Sequence, residues 1–441
     1  LNIATPTNRS DPLSTEWSKS PANPIANATT DAPSTAWRTA TGEWRFMTSG
    51  DDANWIFSSA DFKKWSYVGN LTGAASGACP SLFPFPPLTP GAGGKLPPKA
   101  THVAKTSLST PEFHDILTVG SYASGAPNST GTWTTLLPSA TVDGGQVFAG
   151  KDMWDPVKKR RLYWAWAHDV APASALTLAR DITWHGGLQQ LVYTPIEEQA
   201  LLRRQKLTEL GRTPLVRANA GRYENVLWLS KGWEPTDGNT TEIHVTFTLP
   251  SHSARVGVVV MTSKSIDGGT SAPADGTLFY VDYVPRPSNA SSSSWTVRAG
   301  AADVSHGDLE AGGNYSAASR SRSSGPPSFW PPFSQELRLL KTDHNLTLTI
   351  FVDNTFAECI FAGGRTVLTR SVAASPTGPP LAAGVAVVGN ATRSSPPPTN
   401  QMSVDDTDAS VLTIEAAAAW RVGSLWVTPA EVIATPRLSA S

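Results

Sequence analysis

The chain has 441 residues, a formal net charge of −1 and 16% charged residues, against roughly 25% in ordinary soluble domains. A balance this close to neutral gives no reason to expect nucleic acid or an anionic membrane as partner, and no run approaches the ~18 apolar residues of a membrane span. The length suits two or three domains at ~150 residues each, and a hydrophobic content of 40% is enough for sizeable cores.

Taken in order, residues 1 to about 95 read as short strands cut by turns. A turn at Asn8-Arg9-Ser10-Asp11-Pro12 precedes Glu16-Trp17-Ser18, and a loop rich in Pro, Asn and Ala covers 21–33. Residues 35–38, 43–47 and 53–57 are strand-length runs separated by Gly- or Asp-containing turns, and 61–65 follows as an outer turn. The pattern continues from Lys105 through 113–122 and 132–133. Strands this short and closely spaced, with no long helical period, predict an all-β chain.

The stretch from Asp143 to Arg203 is the most informative. A turn at Lys158-Lys159-Arg160-Arg161 feeds the aromatic run Tyr163-Trp164-Ala165-Trp166-Ala167, whose alternation of large and small side chains suits an inner strand beside a cavity. Residues 177–182 and 188–203 add another strand pair and a short acidic helix start, Pro195-Ile196-Glu197-Glu198. Past a boundary near 204–218, alternating runs at 243–249, 256–261, 346–353 and 382–388 are broken by Ser/Pro-rich loops at 287–294, 319–327 and 394–399. Such two-sided alternation fits a β-sandwich.

Two cysteines, Cys79 and Cys359, rule out a disulfide framework and are expected as free, buried thiols in different domains. Nine Asn-x-Ser/Thr sequons, at Asn8, Asn27, Asn70, Asn128, Asn239, Asn289, Asn314, Asn345 and Asn390, suit a secreted or otherwise extracellular glycoprotein (cell wall, cell surface or vacuolar lumen). Sixteen Trp is heavy; most are expected in cores, and some as platforms for sugar rings.

Four motifs occur in order within the central stretch: Asp143-Gly144-Gly145-Gln146 with Ala149 and Lys151, then Lys158-Lys159-Arg160-Arg161 with Trp164 and Trp166, then Thr177-Leu178-Ala179-Arg180-Asp181, then Pro195-Ile196-Glu197-Glu198 with Leu202-Arg203. Together they resemble glycoside hydrolase family 32, the invertases and fructan hydrolases (β-fructofuranosidases). Upstream, Asp11-Pro12-Leu13, Pro33-Ser34-Thr35-Ala36-Trp37, Gly42 to Arg45 and Asp61-Phe62 to Trp65 follow the family order, and 352–366 resembles its sandwich motif. The resemblance implies a five-bladed β-propeller followed by a C-terminal β-sandwich, with the first blade largely missing from this chain. The expected domains are 1–205 as propeller (blades two to five), 206–218 as linker and 219–441 as sandwich. It also implies that an N-terminal fragment of the same precursor, or another chain, completes the propeller.

The same resemblance exposes degenerate chemistry. Retaining cleavage of a furanosyl bond needs two carboxyls about 5–5.5 Å apart. The family's nucleophile block, N-D-P-N-G, is absent from this chain. With Cys79-Pro80 setting the register, the general-acid slot holds Ala78; with Pro33 setting it, the slot of the transition-state-stabilising Asp holds Ala32. Asp31 is the carboxylate that a one-residue slip would bring in. Asp143 is implied as a surviving pocket carboxylate for sugar hydroxyls, with Gln146 in place of the family's Lys, and Trp37 and Trp164 are expected to line the cavity.

Other constellations carry less. His114-Asp115 and His168-Asp169 lack a nucleophile elbow, and the histidines are too scattered for metal-ligand spacing, so neither cofactor nor metal is expected. Glu197-Glu198 reads as a helix cap or a partner of Arg203, and 158–161 as a solvated turn. Three functions stay open: a non-catalytic pseudoenzyme that binds carbohydrate or assists extracellular assembly, the large fragment of an active invertase or fructan hydrolase, and a purely structural extracellular component.

Overall fold

The computed structural model describes all residues except 12, 27–31, 51–52, 110–112, 169–173, 220–222, 264–270, 287–291, 305–332, 373–383, 392–411, 425–427 and 435–441. The chain is all-β: a β-propeller portion followed by a β-sandwich. The propeller begins with a hairpin of β1 (Ala4–Pro6) and β2 (Trp17–Lys19). Three antiparallel sheets follow. The first holds β3 (Trp37–Arg38), β4 (Trp44–Ser49), β5 (Asn54–Ser59) and β6 (Ser66–Leu71) in chain order. The second holds β7 (Ala78–Pro84), β8 (His102–Leu108), β9 (His114–Ala123), β10 (Thr132–Thr135) and β11 (Ala140–Thr141). The third holds β12 (Val147–Asp155), β13 (Arg160–Ala167), β14 (Ala175–Leu176), β15 (Arg180–His185) and β16 (Gln190–Pro195).

Aromatic residues at alternate strand positions fill the faces of these blades. Phe46 stacks on Phe57 at 5.0 Å between ring centres and meets Trp65 at 4.5 Å, which closes the first sheet over Ala26 and Ile25. In the third sheet Tyr163 and Ala165 point to the second, where Phe83, Val103 and Leu117 receive them.

The acidic turn after β16 forms a short 3-10 helix, Glu197–Leu202. Glu197 and Glu198 bind Lys158, and Glu198 also binds Arg160, while Arg203 pairs with Glu242. The expected contact of this acidic pair with Arg203 is therefore corrected: the 158–161 turn lies nearer.

The sandwich has two sheets. One runs β17 (Arg203–Leu210), β30 (Thr413–Val422), β21 (Thr240–Thr248), β26 (Asn345–Asp353), β27 (Phe356–Phe361), β28 (Thr366–Ser371), with β18 (Thr213–Pro214) beside β30. The other runs β19 (Val216–Arg217), β20 (Asn225–Trp228), β29 (Gly384–Ala391), β22 (Ala254–Thr262), β23 (Thr277–Tyr283), β24 (Ser294–Asp303), β25 (Phe333–Leu340). Alternation sets their inner faces: Ile243, Val245 and Phe247 of β21 meet Val258, Val260 and Phe279 across the core. The segment read as a linker, 206–218, is paired into both sheets through β17, β18 and β19. Gly211 and Pro214 interrupt its alternation and disguise those short strands. Cys359 is buried in the sandwich core, whereas Cys79 is half-buried, so only one thiol is as enclosed as expected.

Propeller and sandwich share a buried cluster at their junction. Phe351, Ile360 and Val367 of the sandwich belong to the same buried cluster as Phe83, Tyr163 and Trp184. Residues 144–146 lie along β28, where Gly144 N–H donates to Val367 O at 2.9 Å and Gln146 N–H to Thr369 O at 2.7 Å. A Cβ on Gly145 would fall 1.8 Å from Thr369 O, so only glycine fits this approach. Beside it Arg180, fully buried, makes ion pairs with Asp143 at 2.9 Å and with Glu358 at 2.6 Å. Burial works against the guanidinium's charge, and the two carboxylates more than restore it, holding its pKa above the usual value.

Two outcomes are expected. Arg180→Met leaves two carboxylates buried without their cation and costs about 3–5 kcal/mol, read as a fall in the urea or thermal midpoint. A midpoint within error of the parent protein would remove the ion cluster from this role. Separately, burial lowers the pKa of His102, on β8, to about 4, beneath its ordinary 6.5. The folded state resists a proton that the unfolded chain accepts, so stability present above pH ~6.5 is lost as pH falls towards ~4, by about 3 kcal/mol. Urea titrations at either end of that range check this, and H102Q flattens the slope.

Candidate functional site

The places where the resemblance sets its carboxylates, Ala32 and Ala78, are tied through lysines to residues 150–151 of β12. Ala32 precedes β3 with φ +53, and Ala78 opens β7 beside Cys79 at φ +46, in a register shift between Ala78 and Ser81. A third irregularity, with Ala149 at φ +57, interrupts β12 between Phe148 and Lys151. Non-glycine residues held at positive φ cost about 1 kcal/mol or more each, and surrounding structure must impose them. At the two positions that the resemblance assigns to carboxylates, the side chains are methyl groups.

Two lysines bind these slots. Lys151 Nζ donates to Ala32 O at 3.2 Å and Pro33 O at 3.0 Å. Lys105 Nζ donates to Cys79 O at 3.1 Å and Gly150 O at 2.8 Å, and sits 3.2 Å from Asp115. Burial lowers the Lys105 pKa, with Asp115 opposing the shift. Asp115 also accepts from Gly150 N–H at 2.8 Å and from Tyr163 OH at 2.6 Å, so it braces two blades. The His114-Asp115 pair is thus tied to structure. His168 packs edge-on against Phe113 and Trp166 at ring-centre distances of 5.5 and 5.8 Å, while Asp169 and Asp31 lie outside the described residues.

Asp143 is corrected. It is not a pocket carboxylate: it is buried at the domain junction, where Thr369 donates through N–H at 2.9 Å and Oγ1 at 2.7 Å, in addition to the Arg180 pair. Every acceptor position it could offer a sugar faces protein. Gln146 does likewise, its Oε1 accepting from Ser371 N–H at 2.7 Å. Trp164 is also corrected; it is half-buried on the strand face opposite Tyr163 and does not line the cavity.

Further along β3, β7 and β12 lies a cavity of about 560 Å³. Trp37 lines it, with Trp154, Phe85, Arg38, Ser81, Asp152, Lys159 and Arg161. Arg161 was read with its neighbours as part of a solvated turn, and that is corrected too. Strand alternation begins at Arg160, which turns out to Asp155 and Glu198, while Arg161 turns in to Asp152 at 2.8 Å. The signal available was period-2 counting: Arg161 shares a face with Tyr163. Asp152 and Trp154 had no motif to mark them.

Of the sequons, Asn8, Asn70, Asn128 and Asn345 are exposed, and Asn239 and Asn390 are half-buried. Asn27, Asn289 and Asn314 lie outside the described residues. Asn390 Oδ1 accepts from Glu224 N–H at 2.6 Å, so that amide is already engaged.

The model of the "Glycosyl hydrolases family 32 N-terminal domain" matches residues 2–195, and that of the family's C-terminal domain matches 206–395. A "Beta-fructofuranosidase, insoluble isoenzyme" of Arabidopsis thaliana is 33% identical over 245 residues, 47% of this chain and 40% of that protein. Insoluble isoenzyme 7 of Oryza sativa subsp. japonica is 29% identical over 286 residues, 57% of this chain and 45% of that protein. The chain thus spans less than half the length of these relatives. Among solved structures, fructan 1-exohydrolase IIa from Cichorium intybus superposes with a TM-score of 0.66 at 19% identity, over 96% of this chain and 78% of that one. A β-fructofuranosidase from Schwanniomyces occidentalis gives 0.57 at 14% identity, over 92% and 73%. At these identities the structures speak for the fold alone. With both domain models matched in order over an all-β propeller and sandwich, the chain belongs to glycoside hydrolase family 32.

Proposed function

We propose that this chain is a non-catalytic member of the family, an extracellular glycoprotein with a carbohydrate-binding or assembly role. The observation that carries it is Ala78 at the start of β7, a methyl group at the position to which the resemblance assigns the general acid. No described carboxylate nearby takes over. Asp115, Asp143 and Asp152 are each bound by a buried cation, Lys105, Arg180 and Arg161 respectively. Without positioned acid–base help, rate typically falls about 10²–10⁴-fold even when the rest of a site is intact. Lys151 beside Ala32 adds positive charge where an oxocarbenium-like transition state would need the opposite.

A specific observation favours the assembly side. Phe113, Trp166 and Leu176 are 48%, 42% and 63% exposed. Phe148 joins them, 4.9 Å from Phe113 and 6.3 Å from Trp166 between ring centres. This apolar patch, on the third sheet and the residue before β9, fits a β-element that completes the propeller, either a further segment of the same precursor or a partner chain.

Purified protein is expected to show no turnover of sucrose, inulin or levan. Turnover that Asp31→Asn abolishes would overturn the pseudoenzyme reading in favour of an active hydrolase with a shifted carboxylate. Native mass spectrometry is expected to show glycan mass that deglycosylation removes, together with an accompanying polypeptide. A bare chain of peptide mass would count against both the secretory origin and the completed propeller.

A further inference from the structure

The basic turn at 158–161 divides its charges between two environments. Lys158 and Arg160 spend theirs on Glu197, Glu198 and Asp155 at the surface, whereas Arg161 is carried inside by β13. Its side chain is 9% exposed, one nitrogen meets Asp152, and the plane lies 5.0 Å from the Phe83 ring and 5.5 Å from that of Trp154. Arg161 Nε is buried with no acceptor in the protein, and so is Ser81 Oγ; both residues line the cavity. Unpaired buried polar atoms are uncommon in native proteins, although the fully buried Arg180 Nε is another here; what sets Arg161 and Ser81 apart is that both line a cavity.

The rest of the wall has the same bias. Arg38 and Lys159 add two cations, and Asp152 is the single lining carboxylate, already engaged by Arg161. Trp37 and Trp154 supply aromatic faces, with Trp154 45% exposed. Burial opposes the charge of Arg161, with Asp152 the one group sustaining it, so a second anion would be welcome there.

We propose that this cavity binds an anionic saccharide unit, its ring against Trp154 and its acid group on Arg161, Ser81 and Lys159. A volume of about 560 Å³ lies within the ~300–1,000 Å³ of ordinary small-ligand pockets. Arginine recognises carboxylate and phosphate alike, so a uronic acid and a sugar phosphate share the required chemistry. Neither Ala32 nor Ala78 lines the cavity, whose wall begins three residues beyond each, at Thr35 and Ser81. It stands whether or not those slots turn sugar over.

Isothermal titration of the whole chain with glucuronate, galacturonate, glucose 6-phosphate, glucose, fructose and inorganic phosphate tests this. At least one acidic sugar is expected to bind about tenfold or more tighter than glucose or fructose, and to weaken several-fold in high salt. Preference between the uronates and the phosphate ester then identifies the acid. Lys159→Gln is expected to weaken binding about two- to fivefold and Trp154→Ala about tenfold; both side chains are exposed, so the fold is retained. Arg161→Gln abolishes binding, with a melting curve recorded in parallel. Absence of binding by every acidic sugar at tens of millimolar overturns the proposal, as does equal binding of neutral sugars. Inorganic phosphate binding as tightly as the sugar acids overturns the saccharide assignment, and indifference to both Lys159→Gln and Trp154→Ala removes the site.

Discussion

Arg180 sits where three parts of the molecule meet, and its charge organises them. Asp143 comes from the loop that feeds the third sheet, Glu358 from the sandwich, and Thr369 Oγ1 accepts from the same guanidinium at 2.9 Å. A buried ion pair is poor evidence for net stability, since desolvation offsets most of its attraction. Its value here is registration: a fixed cation between two fixed carboxylates permits one placement of β28 against residues 143–146. Glycine at 145 makes the approach possible, and the arginine makes it unique.

That placement explains the fate of the sugar-binding motif. An Asp-x-Gly sequence looks the same whether its carboxylate faces a ligand or a neighbouring domain. What decides is Thr369, a partner 226 positions away, and no local pattern announces it. The fold was far more legible. Strand alternation at 243–249 and the aromatic run at 163–167 set their own inner faces, and the ordered motifs tied those faces to a known architecture. Short strands in a Gly/Pro-containing segment, as at 206–218, were hidden because two or three residues carry no measurable period.

The candidate site divides along the same line. Ala32 and Ala78 read as losses only through the resemblance, with prolines and a cysteine setting the register. Arg161 was misread because four adjacent cations suggest a solvated turn, although strand geometry sends alternate members to opposite sides. Asp152 and Trp154 acquire meaning only from the residues facing them on β7 and β13.

The shared cluster of Phe351, Ile360 and Val367 with Phe83, Tyr163 and Trp184 couples the propeller to a sandwich that also has a hydrophobic interior of its own. Heat capacity would register that as cooperativity. Propeller and sandwich lose their common apolar contacts together, so calorimetry should record one endotherm whose van't Hoff and calorimetric enthalpies agree, where independent modules would give two.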